Sequence, residues 1–377
     1  MAVPSETMRG TKANAEKSGW RDAPGLAAGA GRRQSASLAG FEINSWLRTH
    51  PGTHAMKPDN LAPGRRRFLQ QSALLSLGAA CGFGLPPGRA AETARAIPRE
   101  GGARLKVSLN AFSFDPQLKD HLAGKPGGRS LFDVLDFAAR LDFDAVDPTG
   151  YYFPGYPQVP AEKFLNEFKR RAFDLGLDLS GTGVRNDFTS PDPAIRAAGV
   201  ELVKQWVEAA ARLGAPVLRV FAGPEPAAGQ SWDEAAKRVA DALQPCVEHA
   251  TRHGVYIGLQ NHGDLLKGTE DCLKILRQVK SEWLGLILDT GNFLAADPYA
   301  DIARAIPFAV NWQIKERLHG KPGAPTDLVR LVRLIRAANY RGYLPIETLS
   351  VAGQPYDPAA RVTELVQGLR RALAETT

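Results

Sequence analysis

From Leu105 to the carboxyl end, short apolar runs alternate with amphipathic helical segments eight times over, and few folds accommodate that pattern. The strand-like runs are 105–112, 144–149, 177–184, 216–223, 255–261, 284–290, 309–315 and 343–349. Between them, 130–141, 161–176, 195–214 and 231–254 repeat apolar residues at helical spacing, as do segments opening near Asp271, Pro298, Thr326 and Asp357. Ser231 reads as the N-cap of the fourth long helix and Gly254 as its stop, with Pro245 expected to kink or break it. Strict βα alternation predicts a parallel sheet with its helices outside. Eight units, with no glycine-rich phosphate fingerprint after the first strand, favour a closed (β/α)8 barrel over a doubly wound sheet.

Four of the later strands end in a polar side chain able to bind a cation: Gln260 in YIGLQNHG, Asp289 in LGLILDTGN, Gln313 in AVNWQIKE and Glu347 in YLPIETL. They stand 29, 24 and 34 residues apart, each gap about one strand, one helix and two short loops. In a parallel barrel the carboxyl ends of the strands share one mouth, so residues remote in sequence can converge there. This order resembles the sugar isomerase and epimerase superfamily with the xylose isomerase-like TIM barrel, and the resemblance covers residues 105–375. It implies Glu, Asp, His and Glu on strands five to eight around a divalent metal. Asp289 and Glu347 match that pattern, and so does Asn261-His262-Gly263; Gln260 stands where Glu is usual and Gln313 where His is usual.

The metal set implied here is Gln260, Asp289, Gln313 and Glu347, with Mg²⁺, Mn²⁺ or Ca²⁺ as the ion, because two carboxylates and two amides offer hard oxygens only. The resemblance also implies that Glu347 is the base that removes a proton next to a carbonyl. Gln260 cannot exchange a proton at neutral pH, so a second acid/base group has to come from elsewhere. His262 and Lys315 are the candidates. Each has a bland alternative: His262 as a loop-supporting histidine, Lys315 as one half of a salt bridge between strand ends.

Other strand ends supply residues suited to a sugar, whose CH faces pack on rings while its hydroxyls take hydrogen bonds. Asn110 with Phe112 and Phe114, Asp147 with Tyr151 and Tyr152, Asn186, Arg219 with Glu225, and Asn292 are expected at the mouth. Of these, Asn110, Tyr151, Asn186, Arg219 and Asn292 are the substrate-binding candidates. The alternatives are loop packing for Tyr151 and an ion pair with a neighbouring carboxylate for Arg219.

Of 47 basic and 40 acidic residues, 13 and 6 lie in 1–96, which leaves 34 of each in the barrel region. A neutral barrel and only 7 histidines count against a nucleic-acid groove and against a histidine-rich nuclease centre. The basic excess belongs to a leader: Arg65-Arg66-Arg67-Phe68-Leu69-Gln70 followed by a short, glycine-containing apolar run resembles a twin-arginine export signal, with Ala94-Arg95-Ala96 suited to cleavage. That run is too short to predict a stable membrane span. Residues 1–55 are expected to be disordered or an over-long start, with Met56 the better beginning, and 56–96 to be the signal and linker. Cys81 is a weak lipidation candidate; Cys246 and Cys272 fall in predicted helices, where buried thiols are the default and a disulfide the alternative.

The resulting expectation is an enzyme exported in folded form by the twin-arginine translocase, to the periplasm or secreted, and acting on a small non-phosphorylated sugar or keto-sugar by isomerase or epimerase chemistry. A keto-sugar lyase or hydratase and a non-catalytic sugar-binding barrel are the alternatives.

Overall fold

The computed structural model describes residues 94–226, 229–318, 324–351 and 353–377. The arginine-rich segment at 65–70 and Cys81 lie outside these residues. The chain runs β1 (Arg104–Asn110), α1 (Asp115–Leu122), α2 (Leu131–Arg140), β2 (Ala145–Asp147), α3 (Glu162–Asp174), β3 (Asp178–Leu179), β4 (Thr182–Gly183), α4 (Pro193–Leu213), β5 (Val217–Val220), α5 (Trp232–His253), β6 (Tyr256–Gln260), α6 (Thr269–Leu276), β7 (Leu284–Asp289), α7 (Pro298–Ala305), β8 (Ala309–Lys315), α8 (Leu328–Ala337), β9 (Arg341–Glu347) and α9 (Pro358–Glu375).

Every ladder is parallel, and the spatial order is β3-β2-β1-β9-β8-β7-β6-β5-β4. β3 and β4 are two pieces of the third barrel strand. The first pairs with β2 and the second with β5, so the eight-stranded ring closes across 178–183. The continuous strand predicted over 177–184 is therefore interrupted at Ser180-Gly181, where side chains from other strands need the room. A Cβ on Gly181 would lie 2.9 Å from Asp147 Oδ2 and 3.0 Å from Asn311 Nδ2.

Strand alternation divides the polar from the apolar. In β8, Trp312 and Ile314 join the buried shell between strands and helices, whereas Asn311, Gln313 and Lys315 make their contacts inside the ring. Trp206, Trp312, Tyr340, Phe114, Phe153, Phe168, Phe188 and Phe293 are the largest side chains of that outer shell, all essentially inaccessible. Each contributes on the order of 2 kcal/mol by leaving water. Stability is thus carried outside the ring, which leaves the inner strand ends free to hold polar groups.

Local signals explain the helix starts. Ser130 and Asp133 form a capping box on α2, and Ser231, Asp192, Asp327 and Asp357 cap α5, α4, α8 and α9. Gly254 ends α5 in the left-handed region, as its position predicts. The break expected at Pro245 does not occur: α5 is continuous from 232 to 253. The carbonyl that loses its partner belongs to Asp241, which is exposed to solvent, while Ala242, Leu243, Cys246 and Val247 hold the other face in the core. α1 carries no apolar periodicity that would mark it in the sequence, and Leu118 is its one buried residue. Cys246 and Cys272 are free buried thiols, not a disulfide. Burial pushes the Cys246 thiol up to about 12. No helix among the described residues is long and apolar enough to cross a membrane.

Candidate active site

Gln260, Asp289, Gln313 and Glu347 end β6, β7, β8 and β9 on the same mouth, as the spacing predicts. They are 3%, 1%, 6% and 4% exposed, so whatever they bind meets them away from bulk water. Gln260 Nε2 donates to Asp289 Oδ2 at 2.8 Å and to Gln313 Oε1 at 2.6 Å. Those two acceptors fix the amide's orientation. Gln260 Oε1 points the other way and is buried with no hydrogen-bond partner.

Lys315 enters this cluster from two residues beyond Gln313, as β-alternation requires. Its ammonium donates to Glu347 Oε1 and lies 3.3 Å from Asp289 Oδ2, so it bridges the two carboxylates. The salt bridge between strand ends is the arrangement found. Surrounding groups hold the lysine in place: its backbone N–H donates to Thr290 Oγ1 at 2.9 Å, and its carbonyl accepts from Thr326 Oγ1 at 2.7 Å. Gly291 leaves the side chain its path, because a Cβ there would lie 2.7 Å from Lys315 Cγ.

Asp289 is fixed by Asn261. The Asn261 amide donates to Asp289 O at 3.0 Å and its oxygen accepts from Asp289 N–H at 2.8 Å, a two-point clamp between the ends of β6 and β7. Asp289 Oδ1 also accepts from Gly291 N–H at 3.0 Å, closing the turn after β7. Neither the clamp nor the role of Gly291 was read from the sequence, although an Asn directly after a strand end and a Gly two residues after the aspartate were visible signals.

Burial disfavours the Lys315 ammonium, but the charges of Asp289 and Glu347 and their hydrogen bonds outweigh it, and the pKa rises above the usual lysine value. Lys315 therefore stays cationic. Burial raises the Glu347 pKa above the ordinary carboxylate range, with the Asp289 charge adding to the rise and Lys315 opposing it. A more basic carboxylate is a better proton acceptor. A third carboxyl, Asp147 on β2, is 7% exposed and accepts from Asn311 Nδ2 at 3.2 Å. Burial, countered by Arg219 and reinforced by Glu347, pushes it up to about 7.

The remaining candidates divide. Arg219, 5% exposed, donates to Val184 O at 2.6 Å and to Tyr151 Oη at 2.8 Å, and its guanidinium lies 4.1 Å from the centre of the Phe221 ring. Gly183 makes that path available, since a Cβ would meet the guanidinium at 2.7 Å. Glu225, expected beside Arg219 at the mouth, is not among these partners. Glu225 pairs with Lys267 on the surface. Tyr151 packs edge-on to Phe112, Tyr152 and Tyr156, so it both holds Arg219 and builds an aromatic wall.

Asn186 and Asn110 are occupied by the backbone. Asn186 clamps Phe221 by two hydrogen bonds of 2.7 and 3.0 Å, much as Asn261 clamps Asp289. Asn110 Oδ1 accepts from Phe112 N–H at 2.9 Å and from Thr149 Oγ1 at 3.3 Å. Asn292 is half-buried in the turn after β7, its side chain facing Gly263. His262 pairs with Asp264 at 2.8 Å and packs edge-on to Phe221, so it supports the loop and does not orient Gln260. The left-handed turn at Gly263 and the Asp264 carboxylate account for that placement.

These contacts decide whether the donor set suits a divalent ion. Lys315 already meets both carboxylates, and Gln260 offers its N–H₂, not its oxygen, to the centre of the cluster. As arranged, the residues do not fit a divalent cation. Glu208, His249 and His253 also form a group able to hold a metal, on α4 and α5 in the outer helical layer near the amino-terminal ends of the strands. Two hollows, of about 450 Å³ along α3 and about 280 Å³ beside Arg104 and Arg341, likewise lie away from the mouth.

Residues 135–372 match the family described as xylose isomerase-like TIM barrel. The chain is 24% identical over 268 residues to the L-ribulose-5-phosphate 3-epimerase of Shigella flexneri serotype 5b (strain 8401), covering 66% of this chain and 92% of that protein. An L-ribulose 3-epimerase structure superimposes with a TM-score of 0.57 at 20% identity, over 72% of this chain and 96% of its own. A 3-keto-D-glucoside 4-epimerase from E. coli does so with a TM-score of 0.54 at 17% identity, over 71% and 99%.

Proposed function

The chain belongs to the xylose isomerase-like TIM-barrel family, and from that premise we propose that it is an isomerase-type enzyme acting on a sugar by removing a proton next to a carbonyl. The observation that carries the reading is Glu347 at the end of β9, a carboxylate of raised pKa in hydrogen-bond contact with the Lys315 ammonium. A base beside a cation is what enolisation needs: one group takes the C–H proton while the other faces the oxygen on which negative charge develops.

In this reading Glu347 abstracts the proton and Lys315 orients the carbonyl oxygen. Gln260 Oε1, the buried acceptor without a partner, takes the neighbouring hydroxyl of the substrate. Tyr151 and Phe112 offer ring faces to the sugar's CH groups, and Arg219 contributes fixed positive charge behind them. The substrate is a non-phosphorylated sugar or keto-sugar met outside the cytoplasm. Its support is the twin-arginine-like segment at 65–70, since phosphorylated sugars are mainly cytosolic.

The test is ¹H NMR of the wild-type protein with a panel of ketoses, keto-glycosides and sugar acids in heavy water. Loss of a single C–H signal next to a carbonyl, with formation of an isomer, is the expected result. Loss of water or appearance of an unsaturated product would mean a lyase instead, and saturable binding without exchange would mean a sugar-binding barrel.

A further inference from the structure

We propose that Lys315 replaces, from within the chain, the divalent cation that a strand-end carboxylate cluster of this kind would otherwise hold, so that the site works without a metal. Three independent features point the same way. The ammonium touches both carboxylates, Glu347 and Asp289, and so occupies the position from which a shared cation would contact them. The surrounding backbone is adapted to the lysine: Gly291 clears the path of its side chain, while Thr290 and Thr326 grip the main chain on either side. The other two strand ends carry amides, one of them presenting a donor to the cluster and so unable to serve as an oxygen ligand in that orientation.

Charge leads to the same conclusion. Two carboxylates and one ammonium leave a single negative charge among groups that are all more than nine-tenths buried. Adding a dication would turn that into a net positive charge, with Lys315 and the ion competing for the same oxygens. A surplus charge in a site this dry carries a desolvation penalty that works against metal binding.

The chemistry remains balanced without a metal; this half of the inference rests on the carbonyl reading above, while the binding half does not. As the C–H bond breaks, its proton goes to Glu347 and its electron pair forms the new C=C bond. The carbonyl π pair moves to oxygen, which takes a hydrogen bond or a proton from Lys315. The enediol's other hydroxyl then gives its proton to Lys315 and becomes the new carbonyl, while Glu347 delivers its proton to the former carbonyl carbon; this restores both groups and yields the isomer. No oxidant or co-reactant is needed.

The experiment is metal analysis of the protein purified without chelator, followed by Mn²⁺ titration read by electron paramagnetic resonance. His249→Ala/His253→Ala serves as the background, so that the outer-layer group cannot contribute. The expected result is metal content far below one equivalent and no saturable Mn²⁺ binding at about 1 mM. In the same background, Lys315→Met with Gln260→Glu, which removes the ammonium and adds a carboxylate, should bind one Mn²⁺ at least about 100-fold more tightly. One equivalent of metal in the starting protein that disappears on Asp289→Asn would overturn the proposal, as would equal Mn²⁺ affinity with and without Lys315.

If the double variant does not fold, the starting protein's own metal content and titration still decide. Absence of solvent exchange with every sugar would count against the proposed activity and leave the metal result standing.

Discussion

A Cβ on Gly291 would lie 2.7 Å from Lys315 Cγ, so the glycine of the LDTGN turn and the lysine two residues past Gln313 are fitted to each other across β7 and β8. The turn cannot yield easily, because Asp289 Oδ1 holds Gly291 N–H at 3.0 Å and Asn261 holds the Asp289 backbone. Gly291→Ala should therefore move the lysine rather than the turn. We expect a stability loss of about 1–3 kcal/mol, the usual cost of one extra methyl in a packed site. Solvent exchange should fall about 10- to 100-fold, as for a misplaced catalytic group. Calorimetry and the heavy-water assay measure the two. An alanine variant with unchanged activity would show that the position of Lys315 does not matter.

Glu347→Gln keeps size and shape and removes only the charge and the capacity to accept a proton. Lys315 keeps Asp289 at 3.3 Å, so the variant retains a paired ammonium and should fold normally. Turnover should drop by roughly 10²- to 10⁴-fold, the range for loss of a general base. Circular dichroism with the exchange assay checks both halves. A folded Glu347→Gln protein with wild-type exchange would move the base elsewhere, Asp147 being the nearest candidate by chemistry.

The barrel was readable because its signals are local and repeated. A 3.6-residue period between short β-rich runs, eight times over, admits few architectures, and the polar residues at the ends of β6 to β9 mark the mouth whatever else the chain does. What could not be read is which partner each polar group chooses. Nothing near Lys315 in sequence says that it turns to Asp289 and Glu347, because those contacts span 26 and 32 residues. Asn186 is an example: an amide at a strand end can serve a backbone clamp as well as a hydroxyl, and its backbone partner Phe221 lies 35 residues away. The division of β3 from β4 follows from Asp147 and Asn311 crowding Gly181, a contact 164 residues long for that pair.

Export makes a separate prediction, resting on Arg65 and Arg66 alone. Conservative replacement of both by Lys keeps the charge and removes the guanidinium pair that the translocase reads. The double variant should stay in the cytoplasm, whereas a chain begun at Met56 should be exported as well as the full sequence. Fractionation with immunoblotting shows which. Wild-type periplasmic yield from the double lysine variant would exclude twin-arginine export.

Asp147 gives a pH dependence whose sign can be worked out. Burial, reinforced by the Glu347 charge and opposed by Arg219, lifts its carboxyl from 3.8 to about 7, while in the unfolded chain it titrates near the ordinary value. Between those two values the folded protein holds a proton that the unfolded chain has released, so the unfolded state binds fewer protons and stability falls as pH rises. The contribution is complete below about pH 4, is lost on approach to about pH 7, and is flat above, amounting to a few kcal/mol at most. Asn in place of Asp147 copies the protonated form. It preserves the polar contact with Asn311 and cannot titrate. The variant should match wild type at about pH 3.5, below the unfolded value, and exceed it in melting temperature at about pH 8, with a shallower slope between. Glu347 shifts in the same direction, so some slope should survive in the variant. Differential scanning calorimetry at half-unit pH steps resolves the difference, and parallel wild-type and Asp147→Asn curves would mean that Asp147 is ionised in the folded barrel at neutral pH.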